Sequence, residues 1–451
     1  MDEALAAADA FDRALGEGLL RPRPDRAADL TALADALAGT PLAARVAEAA
    51  GKAAAGTGGE DDLVVLAAAR TALLGSAHDA LAARIEELTG RTPADAPGPA
   101  APGAGQTPNL LAAARAWLSD LARAGWQGID HDLVSGAAQT VSAMLPDTSL
   151  RRLATLLDGL AAELAASCPG ASLERIPARR WGDLWARAML LTVPGATGAT
   201  APGTATGRLL PLGVDLHEHA TAVQAQVHAV LEPADGGTPR LVRAAVSVPK
   251  PDTVVEAGVW QLLRPHMSLL AAAGEGRAME IDGMPLTAEG DLIWSEDHAR
   301  AGEAADAFAT ARVALPVAAT PATAPLDRHP ARLAVPVLLE GYAARQDGGT
   351  TVFDLPSGPL VVDTDRIPTA GPLTPEAVAA SRACIGLLRW DAGTYVVQPL
   401  AVETTVRKKT VGLHAGAWAG GTTDKAGVRA EKAATDAVQV LRERAGRLLR
   451  K

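Results

Sequence analysis

The chain has 451 residues, of which 48% are hydrophobic and 21% charged, with a net charge of −10. These totals exclude a largely disordered chain and imply a globular protein long enough for two or three domains, each with its own core. Aromatics make up only 3%, so the cores must be built mainly from Ala, Leu and Val, with helix surfaces in close approach.

From Asp2 to about Gly90 apolar residues recur at helical spacing, as in "DLTALADALAGTPLAARVAEAAG", which predicts a small helical bundle over 1–90. The Pro/Gly/Ala-rich stretch 91–108 reads as a linker. A second bundle is expected over 109–193, with Ser149 of the type to cap one helix and Pro177 suited to the first turn of the last. Residues 194–207, "PGATGATAPGTATG", read as another linker.

The period then changes. Val223, Ala225, Val227, Ala229 and Leu231 alternate with Gln224, Gln226 and His228, giving one apolar and one wet face. Turn signals at "PADGGTP", "IDGMP", "RQDGGTT", "LPSGP" and "WDAGTY" separate strand-like runs. Residues 208–406 therefore read as an antiparallel β domain, a sandwich or partly closed barrel, interrupted by "TPEAVAASRACIG" and the acidic "SEDHARAGEAADAFA". The last segment, 407–451, holds eleven Lys or Arg against four Asp or Glu, a net of +7, which leaves −17 on residues 1–406. It reads as a Gly-rich loop and an amphipathic basic helix with Val428, Ala434, Ala437, Leu441 and Leu448 near one face. The expected fold class is α+β, multidomain: N-terminal helical bundles, an antiparallel β domain and a C-terminal basic helix.

Few residues carry chemical signatures. In "VDLHEHATAVQ" His217 and His219 lie two apart, the spacing at which one strand face presents two imidazoles to a metal; a structural histidine pair is the competing reading. If the strand runs unbroken to Leu231, both sit on its apolar face. "GAWAGGTTDKAG" could offer backbone N–H groups and Lys425 to an anion, or form a plain turn with Thr422 or Thr423 as N-cap. Arg407, Lys408, Lys409, Lys425, Arg429 and Lys432 have the sign to bind nucleic acid or an acidic protein, although Trp418 alone is available for stacking. Trp181 and Trp185, four apart and flanked by Arg179 and Arg180, are either a protein-contact patch or the anchor of a helical core. No nucleophile elbow, P-loop, H-E-x-x-H or dinucleotide fingerprint is present, and neither Cys168 nor Cys384 has the setting of a nucleophile, so no catalytic residue and no cofactor is assigned.

The first residues, "MDEALAAADAFDRALGEG", lack the basic and apolar regions of a secretion signal, and no apolar run approaches the roughly 18 residues of a membrane span. A cytoplasmic protein with no membrane contact is expected. The runs "CPGASLERIPARRWGDLWARAMLLT" and "CIGLLRWDAGTYVVQPLAVE" resemble an actinobacterial protein family associated with SWIM-type zinc-finger proteins and MoxR-type AAA+ ATPases. The resemblance implies a non-catalytic component of such an assembly. The expected role is a non-enzymatic scaffold or adaptor, with an AAA+ ATPase as candidate partner. Nucleic-acid binding through the basic tail and a metal-dependent enzyme using His217 and His219 are the alternatives.

Overall fold

The computed structural model describes residues 1–93, 107–196, 202–406 and 408–448. They divide into two units. The helical unit holds Met1–Ala83, the described residues 107–196 and Ala324–Pro330; the β unit holds the rest.

In the helical unit, α1 (Asp2–Glu17), α2 (Pro24–Asp35), α3 (Ala43–Ala54) and α4 (Glu60–Thr89, whose end passes into the β unit) are followed by α5 (Pro108–Ala124), α6 (His131–Ser135), α7 (Ala137–Met144), α8 (Arg151–Ala166) and α9 (Ala178–Leu191). Apolar residues at helical spacing, such as Ala7, Phe11, Ala14 and Leu15 of α1, put one stripe of each helix inside. The two bundles expected over 1–90 and 109–193 share a single core, in which Phe11 and Leu66 join Trp126, Trp181 and Trp185. The scarce aromatics explain this: Trp126 and Trp181 meet edge to face at 5.8 Å and Phe11 packs 6.1 Å from Trp185, so neither half closes without the other. Gly18 and Gly125, both at positive φ, end α1 and α5 where the two backbone segments nearly touch, and a Cβ on Gly125 would lie 2.3 Å from the Gly18 nitrogen. Asp130 caps α6 by accepting from the Leu133 N–H. Ser149 does not cap α8; its hydroxyl donates to Asp147 instead.

Residues 94–106, most of the expected first linker, lie outside the described residues. Its start is tied down, because Thr92 and Pro93 pair with Thr320 in the β unit. Of the second expected linker, 197–201 lie outside the described residues, and its end is already sheet. Strand β1 runs from Gly203 to Glu218, so the β architecture begins five residues earlier than the period change at 208 indicates.

β1 continues into β2 (Ala222–Pro233) and β3 (Arg240–Pro249); α10 (Val259–Leu263) and α11 (Leu269–Glu275) follow, then β4 (Arg277–Leu286), β5 (Asp291–Leu292) and β6 (Ala299–Ala304). β1 pairs antiparallel with β2 and, at its other edge, with β4; β3 pairs parallel with β5, and β5 with β4. The ring β1-β2-β3-β5-β4-β1 is closed, with β6 continuing the β5 side of β4. This order, with β3 and β5 parallel and helices between β3 and β4, is the connectivity of an OB-type barrel. The interior is filled by Leu209, Val214, Val223, Val227, Met279 and Ile281, and plugged by Trp260, Leu263 and Leu270 from the helices. "IDGMP" is not a turn but an irregularity inside β4, where Gly283 takes positive φ. The acidic stretch after it supplies β6 and the start of α12 (Ala307–Val313). α10 and α11 have no counterpart in the sequence reading, because their runs are too short for a helical period to stand out.

The second sheet contains β7 (Val335–Glu340), β8 (Ala343–Asp347), β9 (Thr350–Leu355), β10 (Gly358–Val362), the short helix α13 (Pro375–Ala379), β11 (Ala383–Asp391), β12 (Thr394–Val406) and β13 (Lys409–His414). Its order is β7-β11-β12-β10-β9-β8, and β13 pairs with β12, so part of the expected basic tail is strand. "TPEAVAASRACIG" is likewise only half helix, since Ala383 onward forms β11. Helix α14 (Lys425–Leu448) ends the described chain. No helix among the described residues is long and apolar enough to cross a membrane.

The two sheets of the β unit meet over one face of β1 and β2. A bulge after Pro211 makes Leu212 the extra residue, since Pro211 faces Ala229 and Gly213 already faces His228. Leu210 and Leu212 consequently join Val230, Phe308, Ile385 and Ala401 in an inter-sheet core, while Val214 and Leu216 point into the barrel. The bulge thereby turns Gly213, Asp215 and His217 toward the second sheet. A Cβ on Gly213 would lie 2.7 Å from Leu400 Cβ, so the approach needs glycine.

Candidate functional site

The HEH segment closes β1 rather than opening a strand. β1 ends at Glu218, the His219 N–H donates to the Ala222 carbonyl, and β2 starts at Ala222, so a tight turn separates the histidines from the alternating run. His217 therefore faces Gln224, on the side of Gln226 and His228, and not with the apolar Val223 set. Nor is that side uniformly wet: the second sheet covers its lower part, and His228 and Asp215 are both buried.

Two residues before His217, and on the same face by strand alternation, lies Asp215, 2% exposed. Its carboxylate accepts three hydrogen bonds: from Gln398 Nε2 at 2.7 Å, from an Arg389 guanidinium nitrogen at 2.8 Å and from His217 Nε2 at 2.9 Å. Arg389 Nε also donates to Gln398 Oε1 at 2.6 Å, so β11 and β12 present a preassembled fork to β1. Burial opposes ionisation of Asp215, but its bond to His217, the nearby positive charge of Arg389 and the Gln398 bond outweigh it and hold the carboxyl well below the usual range. Burial pulls the Arg389 guanidinium down from its ordinary value against the attraction of Asp215. His228, fully enclosed, is pushed down to about 4, first by burial, with Arg243 and Arg389 adding to the effect and Asp215 opposing it. Its Nε2 has no hydrogen-bond partner among the described residues.

His217 is only half buried and stands at the lip of a cleft of about 260 Å³ lined by Asp215–His219, Asp365–Pro368 and Gln398. Glu218 is drawn aside by the buried Lys250, whose Nζ lies 3.2 Å from its carboxylate. Arg366 donates through Nε to Asp363 at 2.8 Å. A metal is not what this geometry favours. His217 Nε2 is committed to Asp215, and among the described residues no three His, Cys, Asp or Glu side chains gather as a ligand set.

The remaining sequence candidates are dispersed. Trp181 and Trp185 are buried in the helical core, Trp185 donating to the Leu118 carbonyl at 2.9 Å, so they offer no contact surface. Exposed Arg179 and Arg180 are held by Asp9 and Glu163. The N-terminus of α14 is capped by neither threonine: Asp424 accepts from the Ala426 and Gly427 N–H groups, and Thr422 supports it by accepting from the Asp424 N–H. That carboxylate occupies the place an anion would take beside Lys425. Arg407 lies outside the described residues. Lys408 and Lys409 lie at the β12–β13 turn, and Lys425, Arg429 and Lys432 on α14; none of these five has an ion-pair partner among the described residues.

α14 itself is divided. Ala430, Ala434 and Val438 pack on the barrel-side core, and Arg264 reaches Glu431 at 3.1 Å. The face turned to the body is the expected one only in part: Ala434 is buried and Ala437 partly so, while Val428 and Leu441 are exposed. Beyond Val438 the described residues Gln439–Ala445 are all exposed, including Val440 and Leu441.

Asp215, Arg389, Gln398 and the 365–368 segment escaped the sequence reading. The D-x-H spacing of Asp215 and His217 was a usable signal, because period two puts both on one face. Nothing local announces Arg389 or Gln398, more than 170 residues away. Comparisons with known protein families, with curated proteins and with solved structures find no match to this chain.

Proposed function

We propose that this chain is a scaffold or adaptor subunit of a protein assembly and docks through α14 on an acidic protein partner. The observation that carries the reading is the division of α14: its first half is anchored by Ala434 and Val438, while its second half exposes Val440 and Leu441 beside Arg442 and Arg444. A basic helix with an uncovered apolar stripe is the arrangement that helix-in-groove recognition uses. The sequence resemblance makes an AAA+ ATPase the first partner to test. Affinity capture of the full chain from its own cell, with and without nuclease, is repeated with the chain cut after Val438. An ATPase or other acidic protein is expected in stoichiometric amount, insensitive to nuclease and lost on truncation. Recovery that survives truncation sinks the proposal.

A second reading, single-stranded nucleic acid, is favoured by the OB-type connectivity, since such barrels bind oligomers across β2 and β3. Gln224 and Ser247 are exposed there and Gln226 is half-buried, but no aromatic side chain stands on the strip for a base to stack on. Binding of a labelled oligonucleotide that weakens steeply between 50 and 200 mM salt, by the factors of about 10³ or more that multiple phosphate contacts produce, would favour it over the adaptor reading.

A further inference from the structure

The polar cluster between the sheets contains more than a structural tie needs. An ionised carboxylate only accepts hydrogen bonds, so the bond to Asp215 puts the proton of neutral His217 on Nε2 and leaves the lone pair on Nδ1. Among the described residues Nδ1 has no hydrogen-bond partner, and the ring stands at the cleft. Asp215 cannot swing away, because Arg389 and Gln398 hold it from the other sheet. A carboxylate that fixes the tautomer and orientation of an accessible imidazole is the orienting half of a general-base pair.

We propose that His217 is a general base, with Asp215 as its positioning residue, acting on a small ester bound in the cleft. This activity is independent of docking through α14. The volume, near the lower limit for ligand sites, sets the size class of the substrate. Ile367 and Pro368 supply an apolar wall for the acyl or alkyl part, and Arg366, whose Nε is held by Asp363, lines the same cleft and brings positive charge near a carbonyl oxygen that becomes negative. In the step, Nδ1 takes a proton from a water molecule whose oxygen adds to the ester carbon. The imidazolium, offset by Asp215, returns that proton to the departing alkoxide as the C–O bond breaks. Ester and water become acid and alcohol, with His217 regenerated and no redox partner required.

Two measurements on the full chain test this. Iodoacetamide alkylates imidazole when a ring nitrogen displaces iodide, and peptide mapping with NMR of the adduct identifies the nitrogen. His217 is expected to react only at Nδ1 and faster than His219, whereas Asp215→Asn spreads the adduct over both nitrogens. Adducts at both nitrogens of wild-type His217, formed at the rate of His219, overturn the proposal. With p-nitrophenyl acetate as probe, saturable hydrolysis is expected to fall by about a hundredfold in His217→Gln, within the range one general base contributes. The His217 side chain is 37% exposed, so His217→Gln keeps the fold. Hydrolysis unchanged in folded His217→Gln overturns it equally.

Discussion

In each unit a carboxylate withdrawn from solvent is held by a guanidinium, Asp12 by Arg70 and Asp215 by Arg389, and the two pairs are built to different ends. In the helical unit Arg70 Nε and a terminal guanidinium nitrogen grip Asp12 at 2.7 and 2.9 Å, and Arg70 also donates to the Arg179 carbonyl. Both side chains are at most 3% exposed. In the β unit Asp215 has the same kind of partner in Arg389, but its third bond goes to a histidine that meets solvent. Because desolvation offsets much of the Coulomb attraction, a sealed ion pair adds little net stability; what it does is penalise every arrangement that leaves one member alone. The sealed pair can only specify packing. The pair with an open edge also reaches a side chain that lines a cleft.

The largest expected effect breaks the sealed pair. Arg70→Ala strands Asp12 in an apolar bundle and should destabilise the helical unit by about 3–5 kcal/mol, read in denaturant unfolding followed by tryptophan fluorescence. A loss under 1 kcal/mol would show that Asp12 finds water or another partner.

Acid should next separate the two units. A buried histidine whose folded value lies near 4, against 6.5 unfolded, binds its proton more readily in the unfolded chain. Stability of the β unit is therefore full above pH 6.5 and falls between 6.5 and 4, by about 3 kcal/mol at the lower end. Asp215, held below its ordinary value of 3.8, adds a further loss only as the pH drops under that value. His228→Leu should remove the upper part of the decline; an unchanged acid profile in this variant would remove His228 from the account.

A subtler change sharpens the comparison by pushing the sheets apart. Gly213→Ala drives a methyl into Leu400 and should cost about 1–3 kcal/mol, while displacing Asp215 from Arg389. Backbone amide exchange at Arg389 and Gln398 reports the displacement. The smallest effect is expected at Asp424→Ala, where loss of the α14 cap costs about 1 kcal/mol and frays the first turn in amide exchange without altering either buried pair.

The sequence was legible where the information is periodic. Helical stripes before position 193, period-two strands after 208, the "PADGGTP", "RQDGGTT", "LPSGP" and "WDAGTY" turns and the exposed basic helix all stand in the structure. Each is a local pattern that one element must satisfy on its own. Tertiary structure decided the remainder. The two helical segments became one core because three tryptophans from 126–185 close over Phe11. Residues 203–207 became strand because β4 supplied an edge for them, and Asp215 and His217 came to face the second sheet because a single bulge residue, Leu212, shifted which residues of β1 lie on that side. Arg389 and Gln398 reach Asp215 only after both sheets have formed, so no local pattern could name them. Periodicity determines which face of an element is buried; closure of the sheets determines what that face meets.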